Sequence, residues 1–497
     1  MTIAGMDFGT TNSGLAVYVG QVRLVPLDAA NPAAPHVLRT SLYISRYHEH
    51  FAGRQAIDEY YRRNQGRPVK LKREYVGTIQ LTYAEIGTFY RDVFVWVDVL
   101  EPGRLFRSIK TYLPDADYLG TLVWGQFYRL EDLAGAFLLL AKLKAEAELG
   151  REIKQVVLGR PVRFGADAKA DALAEERLAR AAILDGYERV YFQLEPTAAA
   201  LQYVQGVRRP QTILVFDFGG GTLDVTIMRV DREGRREVLS TGGVRIAGDV
   251  FDQKIVLARV IQHLGSELEY GPKKLTMPRH IYEQLVDWQT LGVLNQPETI
   301  KFLTEVEKAT PRPRPIRALR SLIGNNYGMA MLDAVERCKI ELSTLEHSAI
   351  RFSGQDIAIN ESLSRRELEW IIAQDTADIA ACVDAALATA QLEPGQIDAV
   401  IRTGGSSLIP LFQRMLAQKF GADKLRAIDE FSSVTAGLAV SAHLAERGDL
   451  ALPAYGPEIL TAGSVVAEAK DRPSPVIALR EQLLREREER GRRFARP

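Results

Sequence analysis

The chain has 497 residues, too many for one small fold and enough for about three domains of the usual size. Hydrophobic residues make up 46% and charged residues 25%, which excludes a disordered chain and supplies a sizeable core. Lysine plus arginine number 63 and aspartate plus glutamate number 63, so no overall field draws the chain onto nucleic acid or an anionic membrane. Cys338 and Cys382 are the only cysteines and form no C-x-x-C pair, which excludes a disulfide framework and a cysteine zinc site and fits a reducing compartment. Met1 to Asp7 lacks a basic region and carries an aspartate in its apolar run, unlike a signal peptide. The most apolar stretch, Leu133 to Leu149, is cut by Lys142 and Lys144 and falls short of the about 18 apolar residues that a span needs. A cytoplasmic, soluble protein is expected.

In chain order, Ile3-Ala4-Gly5-Met6-Asp7-Phe8 reads as a strand entering the turn Gly9-Thr10-Thr11, with a return strand at Leu15-Ala16-Val17-Tyr18. His48-Glu49-His50 puts two imidazoles on one strand face, a poor metal site without a third ligand. Arg62, Arg63, Arg67, Lys70, Lys72 and Arg73 form a basic run diluted by Glu59 and Glu74, read as a solvated face in preference to an RNA site. Val156 to Pro161 is a strand ending in proline, and Gln193 to Leu201 leads into a helix whose start suits Pro196. A second strand and turn, Leu214-Val215-Phe216-Asp217-Phe218-Gly219-Gly220-Gly221-Thr222, returns through Val225-Thr226-Ile227-Met228. Gly242 to Asp252, with Gly248 and Asp249, is a turn leading into a helix. An insert from Pro272 to about Gly328 contains Pro311-Arg312-Pro313-Arg314-Pro315, expected to be a stiff exposed link. Glu336 to Ser343 reads as a helix with its apolar stripe inward. Ile401 to Pro410, through Thr403-Gly404-Gly405-Ser406-Ser407, reads as strand, glycine turn and helix start. The tail from Arg480 to Arg496 carries seven arginines against four glutamates, with Leu479, Leu483 and Leu484 at helical spacing. It is expected to be a solvated, partly frayed helix, with a docking helix or a weak nucleic-acid contact as the alternative.

The two strand-and-turn segments have the same order, so the chain carries an internal duplication. Glycine lets the backbone approach a ligand closely, so successive N–H groups can point at phosphate oxygens, and threonine hydroxyls add donors. An aspartate ending each strand repels phosphate but suits the hydrated magnesium that accompanies a nucleotide. One such turn alone reads as a tight hairpin; two facing turns can clamp one triphosphate. The pattern is neither a Walker A loop nor a dinucleotide fingerprint.

With Leu194-Glu195-Pro196-Thr197-Ala198-Ala199-Ala200 and Thr403-Gly404-Gly405-Ser406-Ser407 beside the two hairpins, the set resembles the nucleotide-binding domain of DnaK-type chaperones. These form the heat-shock protein 70 family, within the superfamily of actin and sugar kinases. The resemblance covers roughly Ile3 to Leu444. Within the family, the chain looks most like the short bacterial DnaK-like proteins called YegD, which implies an ATPase part without the peptide-binding part. The implied fold class is α/β, an actin-like two-lobed ATPase fold: duplicated five-stranded mixed β-sheets flanked by helices around a central nucleotide cleft. Lobe I would occupy residues 1–207 with an inserted subdomain at about 46–124, and lobe II residues 208–433 with an insert at about 258–345. A helix at 434–447 would return to lobe I, leaving a charged tail at 448–497. A β-sandwich needs on the order of 100 residues, so the peptide-binding module and its lid are expected to be absent.

By this resemblance the cofactors are ATP or ADP and Mg2+. Asp7 and Asp217, with Asp224, would hold magnesium through water. Gly9, Thr10, Thr11, Asn12, Gly219, Gly220, Gly221 and Thr222 would cradle the phosphates. Glu195 would order the attacking water; a carboxylate satisfied by a helix start is its other reading. Lys110 would reach the γ-phosphate and offset charge on its equatorial oxygens, in place of the solvated lysine that is usual. Glu336, Lys339 and Ser343 match residues contacting the nucleoside, and Gly404, Gly405 and Ser406 match a nucleotide-binding turn. Pro161 matches a proline that relays nucleotide state; a strand-edge proline is the alternative.

The leading expectation is an ATP-binding, slowly ATP-hydrolysing DnaK-like protein that switches lobe closure with nucleotide state. The alternative is a nucleotide-binding regulatory module with little or no turnover that gates a protein partner. A sugar kinase would need a base for an acceptor hydroxyl, and an actin-like filament shares the fold. The implied partners are an unfolded-protein client or a co-chaperone in trans, with no specific nucleic acid, no membrane and a monomeric chain. Where the family sandwiches adenine between two arginines, this sequence has Ile340 and Leu408, forfeiting about 0.5 to 2 kcal/mol of cation–π attraction for each. Calorimetry is expected to show weaker ATP binding than a full chaperone gives, and a nanomolar Kd overturns this.

Overall fold

A computed structural model of the chain describes residues 3–32, 34–83, 87–165, 167–204, 209–230, 236–286, 294–427, 432–461 and 473–494. By packing the chain divides into two units, Met1–Glu59 with Leu105–Gly248 and Asp375–Pro497, and Tyr60–Arg104 with Asp249–Gln374. The lobe boundary expected at 207 and 208 lies outside the described residues.

The first unit is built on two sheets with one plan. In the first, Ile3–Phe8 pairs antiparallel with Asn12–Tyr18, which pairs with Val22–Leu24; on its other side Ile3–Phe8 runs parallel to Gln155–Arg160, and that strand to Arg189–Leu194. In the second, Gln211–Phe218 pairs antiparallel with Leu223–Val230, which pairs with Arg236–Val244; on its other side it runs parallel to Ala399–Thr403, and that strand to Leu425–Ala427. The duplication read from the two hairpins therefore extends to five strands in each sheet. The first sheet is nevertheless seven-stranded, a departure from the five expected: Leu38–Arg39 adds to Asn12–Tyr18, and Ala454–Tyr455 adds to the edge at Arg189–Leu194. The innermost strands are buried along nearly their whole length because both faces are covered.

One helix, Ser433–Glu446, packs on the strands Ile3–Phe8 and Asn12–Tyr18 and on the helix Glu195–Val204. A continuous apolar cluster joins Ile3 and Val157 of the first sheet to Ile213, Val215 and Ile401 of the second, through Ala198, Ala199, Ala200, Val434, Leu438 and Ala442. The approach is too close for side chains. A Cβ at Gly437 would fall 1.7 Å from the Ala198 carbonyl oxygen, and one at Gly5 would fall 2.2 Å from the Ala439 nitrogen.

The apolar run around Leu133 to Leu149 forms the helix Leu130–Leu149, buried against Ala168–Leu184. Lys142, which interrupts the run, lays its ammonium over the Tyr187 ring, 4.5 Å from the centroid, so a cation is accommodated inside an apolar layer. His50 lies on the short strand His50–Ala52, within 3.3 Å of the Tyr128 hydroxyl, and burial pulls its imidazole down to about 4.

The C-terminal segment is the expected helix, largely exposed over 481–489, but its first turns are docked where a wholly solvated tail was expected. Pro475–Phe494 is a helix docked on Leu130–Leu149. Val476 and Leu479 are buried and Leu483 packs beside them. Ser474 donates to Asp132 (2.5 Å) and Arg487 pairs with Glu146 (3.0 Å). The apolar positions at 476, 479 and 483 make one narrow stripe, which composition dominated by arginine and glutamate conceals.

In the second unit, Leu71–Tyr83 and Gly87–Asp98 form a hairpin, and Pro297–Ala309, Pro313–Gly324 and Gly328–Glu341 are helices followed by the hairpin His347–Gly354 and Ile357–Ser364. Within the basic run, Arg67 pairs with Asp98 (2.6 Å), and nearby Tyr60 donates to Asn326 (3.3 Å). Residues 310–312 link two helices and Pro311, Arg312 and Arg314 are exposed as expected, but the link ends at Pro313, which opens the helix Pro313–Gly324, whose Ile316, Leu319 and Leu322 are buried. Proline is tolerated in a first helical turn, where its missing N–H has no intrahelical partner to lose.

Replacing Gly437 by alanine forces a backbone shift at the seam. The expected cost is about 1–3 kcal/mol, read as a lower urea midpoint, whereas Gly448→Ala, where a Cβ meets nothing within 4 Å, keeps the midpoint within the smaller cost of its positive φ.

Candidate functional site

The two hairpin tips come together, with the Thr10 side chain beside Gly221. A Cβ at Gly221 would meet only the Thr10 side chain, at 3.4 Å, and one at Gly219 would meet nothing within 4 Å. Gly9 has no such freedom, since its Cβ would fall 2.2 Å from the Asn12 carbonyl oxygen, so the first turn closes on itself. Thr11 accepts from the Thr40 N–H (2.8 Å), fixing the start of the return strand at Asn12. The third turn backs the second tip: Gly404 has a φ of 78°, its Cβ would lie 2.4 Å from the Phe218 carbonyl oxygen, and Ser406 donates to the Gly219 carbonyl (2.6 Å). Gly405 opens the turn Gly405–Leu408 that follows. Glycines thus line an open space beside Thr10 and Gly219 to Gly221, room that side chains would fill.

Beside these turns four carboxylates surround one cation. Asp7 and Asp217 sit near the ends of their strands, and Asp224 lies directly across from Asp217 in the hairpin register. Lys110, from the short helical turn Ile109–Tyr112, donates to Glu195 Oε1 at 2.6 Å, with both residues 8% exposed. The lysine is therefore buried and paired. Glu195 is the first residue of its helix, with Pro196 next, so its carboxylate lies at the positive end of the helix dipole. Gly159 clears space for it: a Cβ there would lie 3.0 Å from Glu195 Cγ. Thr222 donates to Asp224 (3.3 Å).

The charge imbalance sets the protonation states. Burial lifts Asp7 to about 7, with Glu195 adding and Lys110 opposing. Burial likewise lifts Asp224 to about 7, with Glu195 adding. Asp217 rises well above the aspartate range through burial, then the charges of Glu195, Asp224 and Asp7. Burial works against the Lys110 ammonium, but Glu195 and Asp7 outweigh it and its affinity for the proton goes up. Such a cluster is short of positive charge and suits a hydrated divalent cation. Among the described residues no three His, Cys, Asp or Glu side chains are placed to hold an ion directly.

The remaining expected residues belong to the second unit. Glu336 and Lys339 lie on the helix Gly328–Glu341, and Ser343 follows its end. Lys339 is buried and donates to Asp252 (2.6 Å); burial lifts Asp252 to about 7, with Lys339 opposing and Glu336 adding. Ile340 is 55% exposed. Leu408, of the first unit, is partly buried.

Sequence reading missed Asp252, although it ends a segment singled out as a turn. It also missed Phe164, whose ring has two cations near it, with Lys110 Nζ 5.9 Å and the Arg160 guanidinium 5.3 Å from its centroid. Only the run Arg160-Pro161-Val162-Arg163-Phe164 hints at it, because the second cation is far away in sequence.

A duplicated mixed sheet with paired aspartate and glycine hairpins is the actin-like ATPase fold. A family model described as Hsp70 protein matches residues 3–270 and 325–476, and the chain belongs to that family. It is similar to the chaperone protein DnaK of Thermotoga neapolitana, 29% identical over 353 residues, which are 69% of this chain and 49% of that one. It is also similar to the chaperone protein DnaK of Elusimicrobium minutum, 29% identical over 334 residues, 66% of this chain and 45% of that one. The chain spans about half the length of the curated relatives it matches. Among the described residues no helix is long and apolar enough to cross a membrane.

A raised carboxyl pKa means that the folded protein holds protons the unfolded chain has released, so stability falls as pH climbs from about 4 through about 7. Asp217→Asn removes a buried carboxyl that must take up a proton, or carry an unfavourable charge, as pH rises. It is expected to raise the melting temperature of the nucleotide-free protein by on the order of 2 °C at pH 8 and by less at pH 5, as read by differential scanning calorimetry.

Proposed function

We propose that the chain binds ATP with magnesium at the two hairpin tips and hydrolyses it slowly to ADP and phosphate, with nucleotide state driving movement of its lobes. The observation that supports this is a buried lysine, Lys110, among four carboxylates beside turns with open space. Gly9, Thr10, Thr11, Asn12, Gly219, Gly220, Gly221 and Thr222 offer N–H and hydroxyl donors to phosphate oxygens, backed by Gly404, Gly405 and Ser406. Asp7, Asp217 and Asp224 accept from the water shell of the metal, which when bound spreads charge from the phosphates. Lys110 turns from Glu195 to the γ-phosphoryl oxygens. Glu195, released, accepts a hydrogen bond from the water that adds to phosphorus as the bond to the ADP oxygen breaks. One proton leaves to solvent with the products.

In this reading the protein is a cytoplasmic DnaK-like chaperone ATPase, working as a monomer with an unfolded-protein client or a co-chaperone supplied in trans. Lys110 and Glu195 neutralise each other at 2.6 Å, and this pair favours a second reading, a nucleotide-gated regulatory module with little or no turnover. Single-turnover assays separate the two, since a chain that binds ATP and forms no ADP after long incubation is the regulatory module. For the ATPase, Lys110→Ala is expected to lower the single-turnover rate by about 100-fold and Asp217→Asn to lower it as well. Unchanged hydrolysis in Lys110→Ala overturns the assignment.

A further inference from the structure

The turn that carries Lys110 is gripped by an arginine from a distant part of the chain. Ser108, just before the turn Ile109–Tyr112, has a φ of 53°, a conformation that a serine keeps only where its surroundings impose it. Ile109 and Leu113 are buried in the apolar core. Between Tyr112 and Gly120 the chain runs without strand or helix, so its carbonyls have no ladder and need other donors. Arg177, on the helix Ala168–Leu184 and 3% exposed, supplies them. Its guanidinium donates to the carbonyls of Leu113 (3.0 Å), Asp115 (2.6 Å) and Tyr118 (3.2 Å), and reaches that of Tyr112 at 3.5 Å. Arginine is seldom buried without partners, and here the partners are the backbone of one short segment. Burial works against the guanidinium charge, with Glu131, Asp115 and Glu176 opposing. A planar fork of N–H donors takes several carbonyls at once, a geometry that a lysine ammonium does not reproduce.

We propose that Arg177 is a positioning residue for Lys110: by gripping the segment Tyr112–Tyr118 it fixes the turn Ile109–Tyr112 and with it the reach of the Lys110 ammonium. Leu113, whose carbonyl Arg177 takes, gives its own N–H to the Lys110 carbonyl (3.3 Å). A shift of the segment therefore passes to Lys110 through one hydrogen bond and three residues of chain. Among the described residues every hydrogen bond of the Arg177 side chain ends on this segment, so its influence on the ionic site is exerted through the backbone that carries Lys110. A long, bendable side chain reaches a fixed point only if its base is clamped, and a base displaced by about 1 Å is enough to spoil a reacting geometry. That Lys110 meets a γ-phosphoryl group rests on the proposed function, but its attachment to Arg177 is a property of the chain alone.

The first test uses the full chain without nucleotide. Acetylation of Lys110 by limiting acetic anhydride is followed by mass spectrometry, with the exposed Lys301 as internal reference. Arg177→Met keeps a side chain of similar length and loses every donor, whereas Arg177→Lys keeps a cation without the fork. Below the thermal midpoint of each variant, Lys110 labelling is expected to rise by about threefold or more in Arg177→Met and by about twofold in Arg177→Lys, with Lys301 unchanged. An arginine that only stabilises the fold lowers the midpoint and leaves Lys110 labelling of the folded chain at the parent level, and that result overturns the proposal. If Arg177→Met does not fold, Arg177→Lys decides by the same two outcomes. In single-turnover hydrolysis, Arg177→Met is expected to lower the rate by roughly 10- to 100-fold, while ADP, which offers Lys110 no γ-phosphate, binds within about twofold of the parent. Loss of ADP binding in parallel with the rate assigns Arg177 to the fold at large and overturns its positioning role. Raised labelling with unchanged hydrolysis leaves the positioning of Lys110 standing and overturns the part given to Lys110 in the proposed function.

Discussion

A side chain at residue 437 would occupy the place of the Ala198 carbonyl oxygen, and the rest of the first unit depends on that exclusion. Because the helix Ser433–Glu446 approaches this closely, it reaches the first sheet and the helix Glu195–Val204 at once, and one apolar cluster runs through both sheets. Two hairpins more than two hundred residues apart in sequence are thereby held with Thr10 against Gly221. A larger residue at the seam separates the sheets before it disturbs any residue that bears charge. The small-residue run Ala198-Ala199-Ala200 belongs to this constraint as much as Gly5 and Gly437 do.

Once the tips are fixed, electrostatics follows from counting. Four carboxylates and one ammonium in a space mostly walled off from water cannot all keep their charge. The chain resolves the excess partly by letting aspartates hold protons and partly by closing Lys110 on Glu195. Both are substitutes for positive charge from outside. The fold supplies rigid geometry here and leaves charge incomplete, so the site costs the folded protein stability.

The sequence displayed the duplicated hairpins plainly, because aspartate, glycine and threonine at a turn are local chemistry that repeats. The two hairpins with Asp7 and Asp217 were readable from the residues, whereas Glu195, Asp224 and Lys110 were named through the family resemblance. Three features were not readable. The helix after Pro313 was hidden because proline and arginine in alternation look the same whether they form a link or a first turn. The docking of residues 475–494 was hidden because Val476, Leu479 and Leu483 are few among many charges. The pairing of Lys339 with Asp252 was hidden because it joins residues that no sequence period relates. In each case the missing information was a partner from elsewhere in the chain.

The added strand at Ala454–Tyr455 has another consequence, for behaviour in a crowded solution. An uncovered row of N–H and C=O groups along Arg189–Leu194 would be a template for a strand from a second molecule. The chain closes this edge with its own backbone. Lifting that segment would convert a sealed sheet into an adhesive one, so this short strand guards the molecule against pairing with its own copies.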